Sequence, residues 1–189
     1  MSTREENVLS TNNKSVNPIP EGYDSITPHL IVKNCVDAIE FYKKVFGAVE
    51  ERRFTMPDDN TKIIHAVLRM RKSNNSRIML ADEFPGMCDS RISDGGKIGS
   101  PKTVGGNSVF LNMYFEDVDD IFDKAQNEGA TVVMPLMNAF WGDRYGQLKD
   151  PFGHIWEVAT HKKDMTKEDM VRAAKESFAK ISVNSAKPA

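Results

Sequence analysis

The sequence predicts an α+β chain built from two tandem βαβββ modules whose curled sheets enclose a concave pocket. Three observations carry that reading. A helix with a polar N-cap and a closing glycine occurs twice. Each helix is preceded by one short apolar, β-branched segment and followed by three more. One helix covering four strands buries only half of the apolar surface it needs, and a second copy supplies the rest.

The elements follow in order. Residues 1–22 are rich in Ser, Asn and charge and hold Pro18 and Pro20, as in a flexible arm. Residues 26–32 read as a strand. Asn34 is a good N-cap, with Asp37 three residues on, and Val36, Ile39, Phe41, Tyr42, Val45 and Phe46 supply an apolar stripe before Gly47. Strands are expected over 50–55, 63–70 and 77–80, with turns at 56–60 and 72–75. In the second of these, Ile64, Ala66, Leu68 and Met70 form an apolar face and His65, Val67 and Arg69 a mixed one, which suits a sheet with a helix on one side and a wet pocket on the other.

Residues 85–106 are Gly-, Ser- and Pro-rich and read as a linker between a first module, 23–84, and a second, 107–162. The second module repeats the first: a strand over 108–115, a helix capped by Asp117 and stopped by Gly129, then strands over 131–135, 144–149 and 154–159. Val36-Asp37-x-Ile39 aligns with Val118-Asp119-x-Ile121, and Gly47-Ala48 with Gly129-Ala130, without a gap. A last helix is expected over 165–182, with Thr166 and Asp169 as a capping box and Val171, Ala174, Phe178 and Ile181 as a docking stripe. Residues 183–189 read as a disordered tail.

Composition excludes several functions. Twenty-five basic and 27 acidic residues give a net charge of −2 with no long single-sign run, unlike a nucleic-acid surface. No apolar run reaches the ~20 residues of a membrane span, and the N-terminus has no secretory h-region. Cys35 and Cys88 form no CxxC pair and fit reduced thiols, so a cytoplasmic location is expected. Gly95-Gly96 and Gly105-Gly106 lack the following helix that a phosphate loop requires.

Several segments together resemble the PhnB-like branch of the glyoxalase/bleomycin-resistance/dioxygenase (vicinal-oxygen-chelate) superfamily. They are Thr27-Pro28-His29-Leu30, Ala38-Ile39-Glu40-Phe41-Tyr42, Phe46-Gly47-Ala48, residues 79–83, residues 140–146, Asp150-Pro151-Phe152-Gly153-His154-Ile155-Trp156 and Ala159-Thr160-His161. The resemblance covers roughly residues 24–170. It implies a glyoxalase fold over 23–164, a concave small-molecule pocket and a homodimer, but no single activity.

Enzymes of that superfamily hold a divalent metal on four strands. Carried over, those positions fall on Thr27, Met79, Phe110 (or Val109) and Glu157. Thr, Met and Phe are poor ligands for a hard cation, so no cofactor is expected. If a metal is present, Glu157 with His29, and His65 nearby, would hold it. Glu157 is also the candidate general base. The expected ligand contacts are His29, His65, Arg69, Asn112, Tyr114, Phe140, Trp141 and Arg144, with Tyr145 in the same aromatic cluster. Rings would stack a planar molecule and the Arg144 guanidinium would take a carboxylate or phosphate. His161 with Lys162 and Lys163 would cap an exposed turn.

Three functions are compatible with these residues. The first is metal-free binding of a small aromatic or anionic molecule. The second is a metal-dependent lyase, isomerase or dioxygenase with a shifted site. The third is an interaction module with a vestigial pocket.

Overall fold

The computed structural model describes residues 16–23, 26–70, 76–85 and 97–185. Its elements are β1 (His29–Val32), α1 (Cys35–Phe46), β2 (Val49–Met56), β3 (Asp59–Arg69), β4 (Arg77–Asp82), α2 (Pro101–Val104), β5 (Phe110–Tyr114), α3 (Val118–Asn127), β6 (Thr131–Asn138), β7 (Asp143–Lys149), β8 (Ile155–His161) and α4 (Lys167–Ser185). Two four-stranded mixed sheets result. Sheet A has the order β1-β4-β3-β2 and sheet B the order β5-β8-β7-β6. In each, the first strand pairs in parallel with the last and the other pairs are antiparallel. The duplicated βαβββ pattern is therefore present. The sheets are separate ladders, because β1 and β5 at the seam each pair on one side only.

The caps explain the helices. Asn34 accepts from the Asp37 amide and Asp117 from the Asp120 amide. Gly47 and Gly129 follow the helices with φ of 68° and 94°, a region that costs little only without a Cβ. The first amide of each helix, which has no partner within the helix, is taken by the end of the module's last strand: Cys35 N–H donates to Asp82, and Val118 N–H to Thr160. The N-caps are 83 residues apart and the glycines 82, so the gap-free helix alignment is corrected by one residue. Cys35, Ala38, Ile39 and Tyr42, not Val36, occupy the places that Val118, Ile121, Phe122 and Ala125 take in α3.

Both helices and one face of each sheet share a single apolar core, from Leu30, Ile39 and Leu80 to Phe122, Trp156 and Val158. Asp150, in the turn between β7 and β8, ties the modules together inside it. Its Oδ2 accepts from Tyr42 Oη of α1 at 2.7 Å and Trp156 Nε1 at 2.9 Å, and its Oδ1 from the Phe152 and His154 amides, both at 2.9 Å. Burial, reinforced by the Asp150 charge and its hydrogen bond, pushes the Tyr42 phenol well above its usual range, so it stays a donor. His154 Nε2 lies 3.2 Å from the Ile31 carbonyl and makes a second link.

Other sequence expectations need adjustment. Ile64 is exposed, whereas Ile63 is fully buried, because irregular pairing between β2 and β3 reverses the alternation before Ala66. The end of the expected flexible arm, residues 20–22, lies against sheet A, and α2 interrupts the linker. Strand β6 runs through Pro135 to Asn138, and α4 extends beyond 182 to Ser185, into the expected tail. Thr166 does cap α4 through the Asp169 amide, but Val171 of the expected docking stripe is exposed. Cys88 and the turn at 72–75 lie outside the described residues.

Candidate functional site

The face of sheet B turned away from α3 gathers most of the polar and aromatic side chains that the core does not use. The turn at Asp150–Gly153, with Gly153 at φ 102°, sets the register of β7 against β8. Gln147 then opposes Glu157, Tyr145 opposes Ala159 and Asp143 opposes His161. The parallel pairing of β5 brings Asn112 beside Glu157 and Tyr114 beside Ala159. Period-2 alternation aims all of these residues to one side. The result is a row Asn112–Glu157–Gln147 next to a row Tyr114–Ala159–Tyr145. The small Ala159 lets the two tyrosines flank it.

Two carboxylates organise this face. Asp143, buried at its backbone and carboxyl, accepts from Tyr114 Oη at 2.7 Å and Trp141 Nε1 at 2.8 Å on Oδ2, and pairs through Oδ1 with His161 Nδ1 at 2.8 Å. Burial by itself would raise the Asp143 carboxyl, but the bonds from His161, Tyr114 and Trp141 outweigh it and hold the group below its usual range. His161 also faces Asp164 through Nε2 at 3.0 Å, and these two carboxylates raise its imidazole above the ordinary value. His161 thus links the buried Asp143 to Asp164, more than capping a turn.

Glu157 Oε1 accepts from Tyr145 Oη at 2.5 Å and Gln147 Nε2 at 3.1 Å, while Oε2 has a long contact of 3.4 Å from Asn112 Nδ2. Burial and that bond to Glu157 push the Tyr145 phenol up to about 12. Tyr114 is raised as well, by its hydrogen bond to Asp143, by burial and by the nearby charges of Asp143 and Glu157. Both phenols are therefore neutral donors at physiological pH. Trp141 packs edge-on against Tyr145 at 5.2 Å and against Phe140 at 4.9 Å. Phe110 and Tyr114 remain about half exposed, at 49% and 48%, so ring surface faces outward.

Arg144 does not belong to this face. It sits on the side of β7 that carries Gly146, against α3, and pairs with Asp119 in the first turn of that helix at 2.7 Å. The aromatic members of the expected cluster assemble, and the guanidinium points away from them. Asp143 and Gln147 escaped the sequence reading. Counting back from the Asp150–Gly153 turn would have found them, since it pairs Gln147 with Glu157 and Asp143 with His161.

The remaining expected contacts line the open face of sheet A. Register aligns His29, Met79, Val67 and Arg52 across all four strands. His29 and His65 meet edge-to-face at 5.7 Å. Burial, with a smaller contribution from His65, lowers the His29 imidazole below its ordinary value. Arg69 pairs with Glu51 at 3.0 Å, and Arg77 with the same carboxylate at 2.6 Å. Glu51 reaches both because it is the extra residue of a bulge between Glu50 and Arg52.

The superfamily's metal position does not suit a metal here. Met79 and Phe110 present a thioether and a phenyl ring, and Glu157 Oε1 is committed to Tyr145 and Gln147. Among the described residues no three His, Cys, Asp or Glu side chains converge as a metal site. No helix among the described residues is long and apolar enough to cross a membrane.

Comparison with known proteins agrees with this architecture. An uncharacterized protein of Mycobacterium bovis is 41% identical over 149 residues, covering 79% of this chain and 91% of its own. Among solved structures, TioX from Micromonospora sp. ML1 superposes with a TM-score of 0.51 at 25% identity, over 72% of this chain and 99% of its own. The PhnB protein from Bacillus cereus shares the fold with a TM-score of 0.53 at 18% identity, over 72% of this chain and 98% of its own. The family profile matches residues 22–158, so the chain belongs to the Glyoxalase/Bleomycin resistance protein/Dioxygenase superfamily.

Proposed function

We propose that the chain is a PhnB-like binding protein that holds a small planar molecule on the open face of sheet B without a metal ion. The observation that carries this reading is the pairing of half-exposed rings, Phe110 and Tyr114, with Glu157, whose Oε2 has only one long contact. Rings of this kind stack planar ligands, and an underused carboxylate oxygen accepts from a ligand N–H. The face carries two carboxylates, and Arg144 is held on the other side of β7 by Asp119. Of the aromatic and anionic ligands that the sequence suggests, this face therefore favours the aromatic class, with N–H donors or a positive charge. Homodimer formation belongs to the same proposal. Val132, Val133, Met134 and Met137 leave an apolar surface along the edge strand β6, at the opposite edge of sheet B from Phe110 and Tyr114.

The test is calorimetric titration with proflavine, a planar cation rich in N–H donors. Saturable 1:1 binding is expected, weakened about tenfold by Glu157→Gln and by Tyr114→Ala. Absence of saturable binding, or binding that neither change affects, refutes the proposal.

A further inference from the structure

Residues 20–23 do not hang free, and what they cover is a second cavity. Arg77 fixes this segment from below. Its Nη1 donates to the Gly22 carbonyl at 2.9 Å, and its guanidinium carbon lies 5.3 Å from the centre of the Tyr23 ring. The approach depends on glycine. Gly22 has φ 81°, and a Cβ there would stand 1.6 Å from Arg77 Nη1. Between this strap and sheet A lies a partly open cavity of about 510 Å³. Val67 and Met79 floor it, Arg52 and Glu51 stand at its wall, and Tyr23 and Pro20 cover it.

The charges in this cavity are uneven. Glu51 is matched by Arg69 and Arg77. Arg52 has no carboxylate within ion-pair distance among the described residues, and its one polar contact is a long one, 3.4 Å from Nη2 to Tyr23 Oη. An exposed guanidinium beside an apolar floor and under a phenol ring is complementary to an aromatic ring bearing one negative charge. The guanidinium fork matches a carboxylate in geometry as well as in charge. The cavity is large enough for a two-ring molecule.

We propose that the strap and sheet A together form a second ligand site, which takes a small aromatic carboxylate with its acid group on Arg52 and its ring between Tyr23 and the Val67–Met79 floor. This site does not rest on the sheet B reading and has the opposite charge preference; Arg77 stands between the two, lining both cavities. Ligand release requires the strap to lift, so Gly22 and Arg77 act as the latch.

The full chain is titrated calorimetrically with 2-naphthoate and with its neutral analogue 2-naphthamide. Saturable 1:1 binding of 2-naphthoate is expected, weakened about tenfold in Arg52→Gln, whereas 2-naphthamide distinguishes the two proteins by less than twofold. Gly22→Ala and Tyr23→Ala, which alter the strap and not the strands, are expected to weaken 2-naphthoate about fivefold to tenfold. These strap variants carry the test should Arg52→Gln fail to fold. Saturating proflavine is expected to leave the 2-naphthoate isotherm in place, so the two sites fail or succeed separately. No saturable 2-naphthoate binding to the wild type, or equal affinity in the wild type and the strap variants, overturns the proposal.

Discussion

Removal of the Tyr42 hydroxyl tests how the two modules are held to each other. Tyr42 belongs to α1 and Asp150 to the turn of the second module, and their 2.7 Å bond is fully buried. In Tyr42→Phe the ring keeps its packing against Trp156 and Phe46, and Asp150 keeps its three other donors. The loss is then one hydrogen bond to a charged acceptor, about 1.5–3 kcal/mol, with no new orphaned donor.

Asp150→Asn is harsher. Its amide has one acceptor oxygen for two pairs of donors. With its nitrogen turned towards Tyr42 and Trp156, the phenol can rotate to accept, but the indole N–H cannot and is left buried without a partner. Roughly 3–5 kcal/mol is expected from that orphan together with the weakened bonds. Urea denaturation followed by circular dichroism reads both. With a slope of roughly 2–3 kcal/mol per molar, the Tyr42→Phe midpoint falls by about 0.5–1.5 M. A loss below about 0.5 kcal/mol in both variants refutes the assignment of Asp150 as the inter-module tie.

Two further outcomes follow from other features. His161, raised by Asp143 and Asp164, stabilises the fold fully below the unfolded histidine value of about 6.5, and that contribution disappears as pH rises through its folded value. Asp143, held low, contributes above about 3.9 and loses its contribution as pH falls through its depressed value. NMR titration is expected to place His161 above 6.5 and to move it down in Asp143→Asn; a wild-type value at or below 6.5 refutes the pairing. Sedimentation equilibrium at micromolar concentration is expected to give twice the chain mass, with Met137→Glu on β6 shifting it towards monomer; a monomeric wild type overturns the dimer.

Local signals carried most of the fold. Asn34, Asp117, Gly47 and Gly129 mark helix ends through their own backbone needs, so both helices were legible to within a residue or two. The one-residue slip between them arises because Gly47 lies 13 residues after its N-cap Asn34 and Gly129 only 12 after Asp117, a difference that matched glycines conceal. The site was harder. Tyr114 and Glu157 are legible from their strands and Trp141 from the turn before β7, but adjacency in sequence groups Arg144 with these aromatics whereas strand alternation separates it from them. On β7, Gly146 and Leu148 pack towards the helix side, and Arg144 shares their parity. The Tyr42–Asp150 bond spans 108 residues and left no local trace. The strap was illegible for a related reason, since its contact with Arg77 depends on a glycine that has no side chain to form a pattern.

The alternation on β8 also governs how this protein can change over time. Trp156 and Val158 are locked into the shared core, while Glu157 between them looks onto the open face. Neighbouring codons therefore answer to different constraints: one to the fit of a closed interior, the next to whatever molecule meets the surface. Every second letter of the strand can drift towards a new ligand while the letters between hold the scaffold still. A gene read this way needs no insertion or new domain to acquire a different specificity, only substitutions in one reading of its parity.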